Sequence, residues 1–420
     1  MDDRTQRRRA VSAAVVGNVL EWYDFAVYGY VAVILARKFF PVGDEVTALL
    51  STFLAYGLGF VARPLGGIVL GRVGDTHGRK TALLITIALM AGGTVLIGIL
   101  PTYAAIGIAA PLLLVVARLL QGFSAGGEWG SSTAYIVEWA PKGRRGFYGS
   151  FQQMSVVAGL LLGSGVAALL NTLLTPDQMN DWGWRVPFLL GGILGPVGLW
   201  MRRTIDETPA YKKAIAAPAP VVPGQTSPWV LAGRAFGFTI VWTVCFYVLL
   251  AYMPTYTQKY LKISASAALW ANTIGLLALM IFIPLMGMLS DRIGRKPLLL
   301  ACCIAFIVVP YPFFSFLLSG ASYTQLILVQ IVFAILISTF SGAGPAAIAE
   351  IFPTRTRSTW MTSGYALAVA IFGGFAPFIS VYLIDRFNSP LAHTFYLIAA
   401  AVVSTIVIAT LRETAHEELS

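Results

Sequence analysis

Apolar residues run along this chain in long stretches, and the polar positions gather in short segments between them. About 20 consecutive apolar residues let a helix cross the hydrocarbon layer of a bilayer. Twelve such stretches can be marked, at about 11–36, 47–71, 81–100, 105–138, 147–171, 185–203, 229–257, 265–290, 297–319, 323–350, 358–384 and 391–411. They are apolar all round rather than along one stripe, which excludes the half-solvated helices of a soluble domain. The pattern predicts an all-α membrane protein with twelve transmembrane helices, the longest of them tilted or extending beyond the bilayer. The first stretch is not a short apolar core followed by a cleavage site, so it is expected to remain as a span.

The short connections alternate in charge. One set carries "RTQRRR", "GRVGDTHGRK", "PKGRRG", "RRTIDETPAYKK", "SDRIGRK" and "PTRTR"; the other carries "FPVGDE", "PTYAA", "TLLTPDQMND", "LKISAS", "SGASY" and "DRFNSP". Lys and Arg stay on the cytoplasmic side, so both termini are expected there, in a bacterial-type inner membrane. Lys142, Arg144 and Arg145 are read as setting this topology. The net charge of +10 therefore reflects loop placement and not a nucleic-acid surface.

Two segments recur half a chain apart. "GRVGDTHGRK" at 71–80 returns as "GMLSDRIGRK" at 287–296, and "IVEWAPKGRRG" at 136–146 returns loosely as "IAEIFPTRTRS" at 348–358. The doubling divides the chain into six-helix bundles at 1–203 and 229–420. Between them, 204–228 contains "APAPVVPGQTSP" and is expected to be an extended cytoplasmic tether. Two pseudo-symmetric six-helix bundles suggest a carrier with its site between the halves.

Composition sharpens this picture only at a few positions. The chain has 420 residues, 57% hydrophobic and 11% charged, with a mean hydropathy of +0.76. A charge at membrane depth costs roughly 3 kcal/mol even on the lenient insertion scale and marks a functional candidate. At 1.5 Å per residue, Glu21 and Asp24 lie about 15 and 20 Å into the first helix, and Arg118 about 20 Å into the fourth. Glu128 lies further toward the cytoplasmic end of the fourth helix, and Arg63 in the cytoplasmic half of the second. Spacing of three puts Glu21 and Asp24 on roughly one helix face, with Tyr28, as a shared polar lining.

Arg118 can pair with Glu21 or Asp24 or with a substrate carboxylate. Competition between those partners would free a carboxylate to take up a proton, with Asp24 the favoured carrier and Glu21 and Glu128 the others. Alternatively Glu21 or Asp24 holds Arg118 or Arg63 in a permanent structural pair, Arg63 anchors a helix end before Pro64, and Glu128 is a buried structural residue. Candidate substrate contacts are Arg118, Gln121, Tyr28 and Arg63 in the first half. In the second they are the neutral Tyr247, Tyr252, Asn272, Gln330 and Tyr365. Pro254 is expected to kink or break helix seven. Gln152 and Gln153 are placed in an inner vestibule. Cys245, Cys302 and Cys303 lie within apolar runs and read as packing residues. The histidines are scattered, and no metal cluster or enzyme constellation is present. No cofactor is expected beyond a proton gradient, and the partners are a small carboxylate, protons and lipid, with the protein acting as a monomer.

The repeated loop residues Gly71, Asp75, Gly78, Arg79 and Lys80, and Gly287, Asp291, Arg292, Gly294, Arg295 and Lys296, resemble the loop motif of the major facilitator superfamily, with Thr76 where an arginine is usual. "GNVLEWYDF", "RPLGG", "ARLLQGFSAGGE", "KGRRGFYGSFQ", "DWGWRVPF" and "RRTIDETPA" resemble its metabolite:proton symporter family. That resemblance implies the major facilitator fold and a proton-coupled importer of a small organic acid, such as α-ketoglutarate or citrate. A proline/betaine-type zwitterion is the alternative. It also implies charge sets that latch the cytoplasmic side: Asp75, Arg79 and Glu138, repeated as Asp291, Arg295 and Glu350. A drug antiporter is disfavoured, since "SVVAGLLLGSGVAALL" lacks the helix-five glycine–proline motif of those carriers. A nutrient sensor is disfavoured because no added cytoplasmic domain fits.

Overall fold

The computed structural model describes residues 3–417 apart from 42, 78, 128, 130–131, 134–135, 138–139, 142, 203–226 and 353–356. Residues 204–226 of the expected tether therefore lie outside the described residues, and its last residue, Pro228, already begins a helix. Among the described residues the long helices group into twelve rods. In the first half they are α1 (Asp3–Tyr30 continued by Ala32–Phe39), α2 (Glu45–His77), α3 (Arg79–Ile99), α4 (Ala109–Ser124 with the tight turn Ala125–Gly127), α5 (Arg145–Leu173) and α6 (Val186–Arg202). In the second they are α7 (Pro228–Phe246, Tyr247–Tyr252 and Met253–Tyr260), α8 (Ala265–Ile293), α9 (Arg295–Val308 and Pro310–Leu318), α10 (Tyr323–Glu350), α11 (Arg357–Ala368, Val369–Gly373 and Ala376–Arg386) and α12 (Ala392–Thr410). The protein is all-α, with the two six-helix bundles of the major facilitator fold.

Local chemistry explains where the rods start and bend. Ser264 accepts the Ala267 N–H at the start of α8, and Ser322 with Gln325 forms a reciprocal cap at the start of α10, each satisfying donors that a helix leaves orphaned. Gly294, at φ +103°, makes the sharp turn between α8 and α9 that a side chain would strain. α1 bends by 63° between its two parts, and α9 by 43° just before Pro310. Pro64 lies inside α2 without ending it, so Arg63 is not a helix-end anchor: it is a buried mid-helix residue. Pro254 does not break α7 either. The helix instead widens into a π turn over Tyr247–Tyr252 and resumes at Met253, because a proline cannot supply its share of the hydrogen-bond ladder. A second π turn, Val369–Gly373, interrupts α11.

Within the first half, α2 and α4 touch backbone to backbone. A Cβ on Gly66 would strike the Phe123 carbonyl, and one on Gly122 the Gly59 carbonyl. Small residues let transmembrane helices approach this closely. Between the halves, α5 packs along α8 and α10, α1 against α7, and α2 against α11. The seam is tied at both ends. On the face where α5 begins, called here the basic face, Asp291 reaches the start of α5. Toward the other face Ser164 meets Thr273 and Asn272, and Thr172 meets Ser266. Phe375 lies against Gly57, and Tyr252 edge-on to Phe53 at 5.8 Å. The halves are in contact toward both faces, and the charges of the first half's helices lie buried behind those contacts.

Candidate functional site

The two carboxylates of α1 turn to different neighbours. Glu21 lies 3.6 Å from Arg63 of α2, both side chains buried. Asp24 faces α3 and α6, where a Cβ on Gly191 would press on its Oδ1 and on Thr94. The shared lining expected from their spacing is not formed. Three residues are still about 60° apart around a helix, and neighbours packed on both flanks separate them.

Arg118 is wholly buried and, among the described residues, pairs with neither carboxylate at ion-pair distance. Its Nη1 donates to Gln121 Oε1 at 2.8 Å, and Gln121 Nε2 donates to Thr94 Oγ1 at 2.8 Å. The guanidinium carbon sits 4.8, 4.6 and 4.9 Å from the rings of Phe25, Tyr28 and Tyr56, a cation–π box that holds the charge in a desolvated place. Tyr28 is fixed by its hydroxyl, which donates to the Thr52 carbonyl at 3.0 Å. Arg63 has a similar box: its guanidinium carbon is 4.6 Å from both Phe25 and Phe60 and 5.4 Å from Trp22. Phe25 thus touches both arginines. Of the pairings the sequence left open, the one formed among the described residues is Glu21–Arg63, while Arg118 is held by an amide and three rings. Position along a helix is legible in a sequence; the direction a side chain takes around it is decided by packing.

On the two arginines, four donors make no hydrogen bond. Nε and Nη2 of Arg118, and Nε and Nη2 of Arg63, have no hydrogen-bond partner. On Arg118 these atoms form one edge of the guanidinium, directed at Gly59, where an added Cβ would lie 3.5 Å from each. Nε and Nη2 are the pair of a guanidinium that can grip a carboxylate with two parallel bonds.

The second half contributes neutral groups across the interface. Tyr247 and Tyr365 meet Trp242, Thr243 and Phe246 of their own half and Trp22 and Gln153 of the other around a cavity of about 10 Å³, room for about one water. Thr243 Oγ1, the Tyr247 hydroxyl, Gln153 Oε1 and both amide atoms of Gln152 are buried without partners. Asn272 and Gln330 are not brought here. They line a separate cavity of about 10 Å³ inside the second half with Leu249, Leu250, Met253 and Phe333, and Asn272 donates to Ser164 at 3.2 Å. Tyr252 packs among Phe53, Tyr256 and His393, away from Arg118.

Near the basic face, Asp291, Arg295 and Glu350 form one cluster. Arg295 Nη1 lies 2.8 Å from Asp291, and Arg295 Nη2 3.3 Å from Glu350. Arg145, read from the sequence as a topology residue alone, also lies 3.3 Å from Glu350 across the interface, and Asp291 accepts the backbone N–H of Gly146 at 2.8 Å and of Phe147 at 2.9 Å. The segment after α12 joins in: Thr414 Oγ1 donates to Glu350 at 2.6 Å, and Glu413 accepts the N–H of Arg295 and Lys296 at 2.9 Å each. Glu128, Glu138 and the side chains of Asp75 and Arg79 lie outside the described residues. Sequence reasoning missed Trp22, Trp129, Arg145, Glu413 and Thr414. The available signal was a tryptophan in the glycine-rich "GGEWGSS" and another beside the paired carboxylates of "LEWYDF".

Comparison with known proteins follows the same lines. The family described as "Sugar (and other) transporter" matches residues 10–215, and "Major Facilitator Superfamily" matches residues 235–419. The proline/betaine transporter of Escherichia coli is 33% identical over 99% of this chain and 86% of its own length. The citrate-proton symporter of Klebsiella pneumoniae is 35% identical over 94% of this chain and 89% of its own. The alpha-ketoglutarate permease of Escherichia coli is 36% identical over 96% and 94%. The xylose transporter XylE of E. coli, in a partially occluded inward-open conformation, shares the fold with a TM-score of 0.77 over 98% of this chain and 99% of its own, at 19% identity. With relatives at this identity along nearly its whole length, carriers all, the chain is a transporter and not an enzyme, and it belongs to the metabolite:proton symporter family of the major facilitator superfamily.

Proposed function

We propose that the protein is a proton-coupled symporter that imports a small organic acid, a di- or tricarboxylate of the α-ketoglutarate or citrate kind, by alternating access. The observation that carries this reading is the surplus of buried donors: Nε and Nη2 of both Arg118 and Arg63 make no hydrogen bond, and only Nη2 of Arg63 has an ionic neighbour, Glu21 at 3.6 Å. Unsatisfied buried donors cost free energy, and an acceptor-rich anion is the ligand that satisfies them. One substrate carboxylate docks on the Nε–Nη2 edge of Arg118. A second competes with Glu21 for Arg63, whose 3.6 Å contact is long for a strong pair. Glu21, released in a low-dielectric site, takes up a proton, so substrate and proton travel together. Asp24 and Glu128 remain the other candidate carriers. Gln121 acts by holding Arg118 in place. Asn272, Gln330 and Tyr252 act only after a rearrangement that opens their surroundings.

In this reading the basic face is cytoplasmic, following the distribution of Lys and Arg. Asp291, Arg295, Glu350 and Arg145 form the inner latch, Asp75, Arg79 and Glu138 supply its repeat in the first half, and one chain suffices. The test is uptake of labelled dicarboxylates into proteoliposomes with internal pH recorded. Arg118→Ala should abolish uptake while leaving expression intact; near-normal uptake removes Arg118 from the site. Carboxylate transport with no proton movement refutes symport. A zwitterion is the second reading, supported by the proline/betaine relatives at 33% identity. A thermal-shift panel separates the two: stabilisation by betaine or proline, and not by any di- or tricarboxylate, would establish the second.

A further inference from the structure

Trp129 of the first half and Tyr365 of α11 stack across the interface, with ring centroids 3.5 Å apart and planes 3° from parallel. Trp242 of α7 stands roughly edge-on to both, at 6.0 Å from each. All three side chains are buried. A stack of this kind needs a few tenths of an ångström of alignment, so it cannot persist once the two halves separate here.

Its position relative to the charges is informative. Tyr365, besides stacking on Trp129, lines the small cavity shared by Trp22, Gln153, Thr243 and Tyr247, and Trp22 lies under Arg63. Trp129 follows Arg118 along the chain toward the basic face, and Tyr365 lies a few turns from the start of α11 on that same face. The stack therefore stands between the arginine site and the basic face, deeper than the Arg145–Glu350 contact. The groups beside it have nothing to bond in this closed arrangement: Trp129 Nε1, Thr243 Oγ1, the Tyr247 hydroxyl and Gln153 Oε1 are all buried and unpartnered. Buried polar atoms normally find partners, so these are dressed for a state in which the space is wider and wet or filled.

We infer that the Trp129–Tyr365 stack is an aromatic gate: the arginine site communicates with the basic face only when these two rings part. The ionic cluster near the surface and the stack beneath it are then two closures in series, and the stack is the one that excludes water from the site. The inference rests on the protein being a transporter of this fold and is indifferent to which solute it carries.

The experiment uses full-length protein in liposomes of known orientation, with Gln153→Cys as the reporter and a membrane-impermeant maleimide added on either face. Trp129→Ala should raise the labelling rate from the basic face at least fivefold and leave the rate from the other face unchanged. Trp129→Phe, which keeps a ring able to stack, should stay within twofold of the parent. Tyr365→Leu should repeat the Trp129→Ala result from the other partner, and it carries the test if Trp129→Ala does not fold. Unchanged labelling in a folded Trp129→Ala or Tyr365→Leu protein overturns the inference, and so does a rise from both faces alike, which would mean general loosening. Because no substrate enters the assay, a wrong solute assignment does not affect the outcome.

Discussion

Helix α5 begins at Arg145 with no capping side chain of its own, and the first N–H groups of a helix have no acceptor within it. Asp291, from the other half of the molecule, fills that gap by accepting from Gly146 at 2.8 Å and Phe147 at 2.9 Å. The closed basic face is therefore held by a helix cap supplied across the interface. Loss of an ordinary cap costs about 1 kcal/mol, and hydrogen bonds to a charged group contribute about 1.5–3 kcal/mol each. The Asp291 side chain is only 8% exposed, which favours the upper part of that range, but its charge is shared with Arg295 at 2.8 Å, which lowers it. Asp291→Ala should thus weaken closure by about 2–3 kcal/mol, a factor of roughly 30–150 in the open-to-closed ratio. Amide hydrogen exchange at Gly146 and Phe147 reads that ratio directly, because opening exposes those same N–H groups. Asp291→Asn keeps one acceptor oxygen and should lose about 1 kcal/mol. Arg145→Ala removes a 3.3 Å contact to a Glu350 that still has Arg295 and Thr414, so it should accelerate exchange less than Asp291→Ala. If Arg145→Ala matches or exceeds Asp291→Ala after correction for intrinsic rates, or if Asp291→Ala stays within twofold of the parent, the cap is not what holds the face closed.

Other expectations follow from single contacts. Glu21→Gln should abolish proton-driven accumulation while leaving substrate exchange across the membrane, and a variant that still concentrates substrate against a gradient would remove Glu21 from the coupling. Gly122→Ala forces a methyl into the Gly59 carbonyl; because neither backbone can yield, the cost should reach about 3 kcal/mol or more, seen as a large fall in thermal midpoint in detergent. Gly165→Ala, with nothing within 4 Å of the added carbon, should be neutral or stabilising by up to about 1 kcal/mol. Burial alone would raise the Glu413 pKa, but the N–H groups of Arg295, Ala415, Lys296 and Thr414 outweigh it and hold the carboxyl below its ordinary value. A depressed carboxylate stabilises fully above its unfolded pKa and loses that contribution as pH falls through the folded one. With Arg295, Lys296 and Glu350 as the charged neighbours, protection of the Arg295 and Lys296 amides should fall only below the usual carboxylate range. Glu413→Gln should flatten that dependence, and an unchanged profile would exclude the clasp.

The spans were readable because bilayer length and backbone satisfaction act on every residue of a stretch at once. The stretch marked at 265–290 corresponds to Ala265–Ile293, and that at 323–350 to Tyr323–Glu350. The internal doubling and the loop motifs pointed to the fold, and counting residues along helices placed Glu21, Asp24, Arg63 and Arg118 well inside apolar segments, where all four are buried. Which of these groups meet was not. Glu21 turned to Arg63 and Arg118 to Gln121 because large rings, Phe25, Tyr28 and Tyr56, occupy the space where a direct pair with α1 would form. Pro254 announced a disturbance in α7 but not its form, since a π turn depends on what packs beside it as well as on the missing N–H. The same limit hid Arg145 and Trp129, whose partners lie in the opposite bundle, and Thr414, whose partner Glu350 lies 64 residues earlier in its own bundle. Periodicity and depth are properties of one helix and survive in one dimension; partner choice depends on rotation and contact between helices, which only the packed tertiary structure decides.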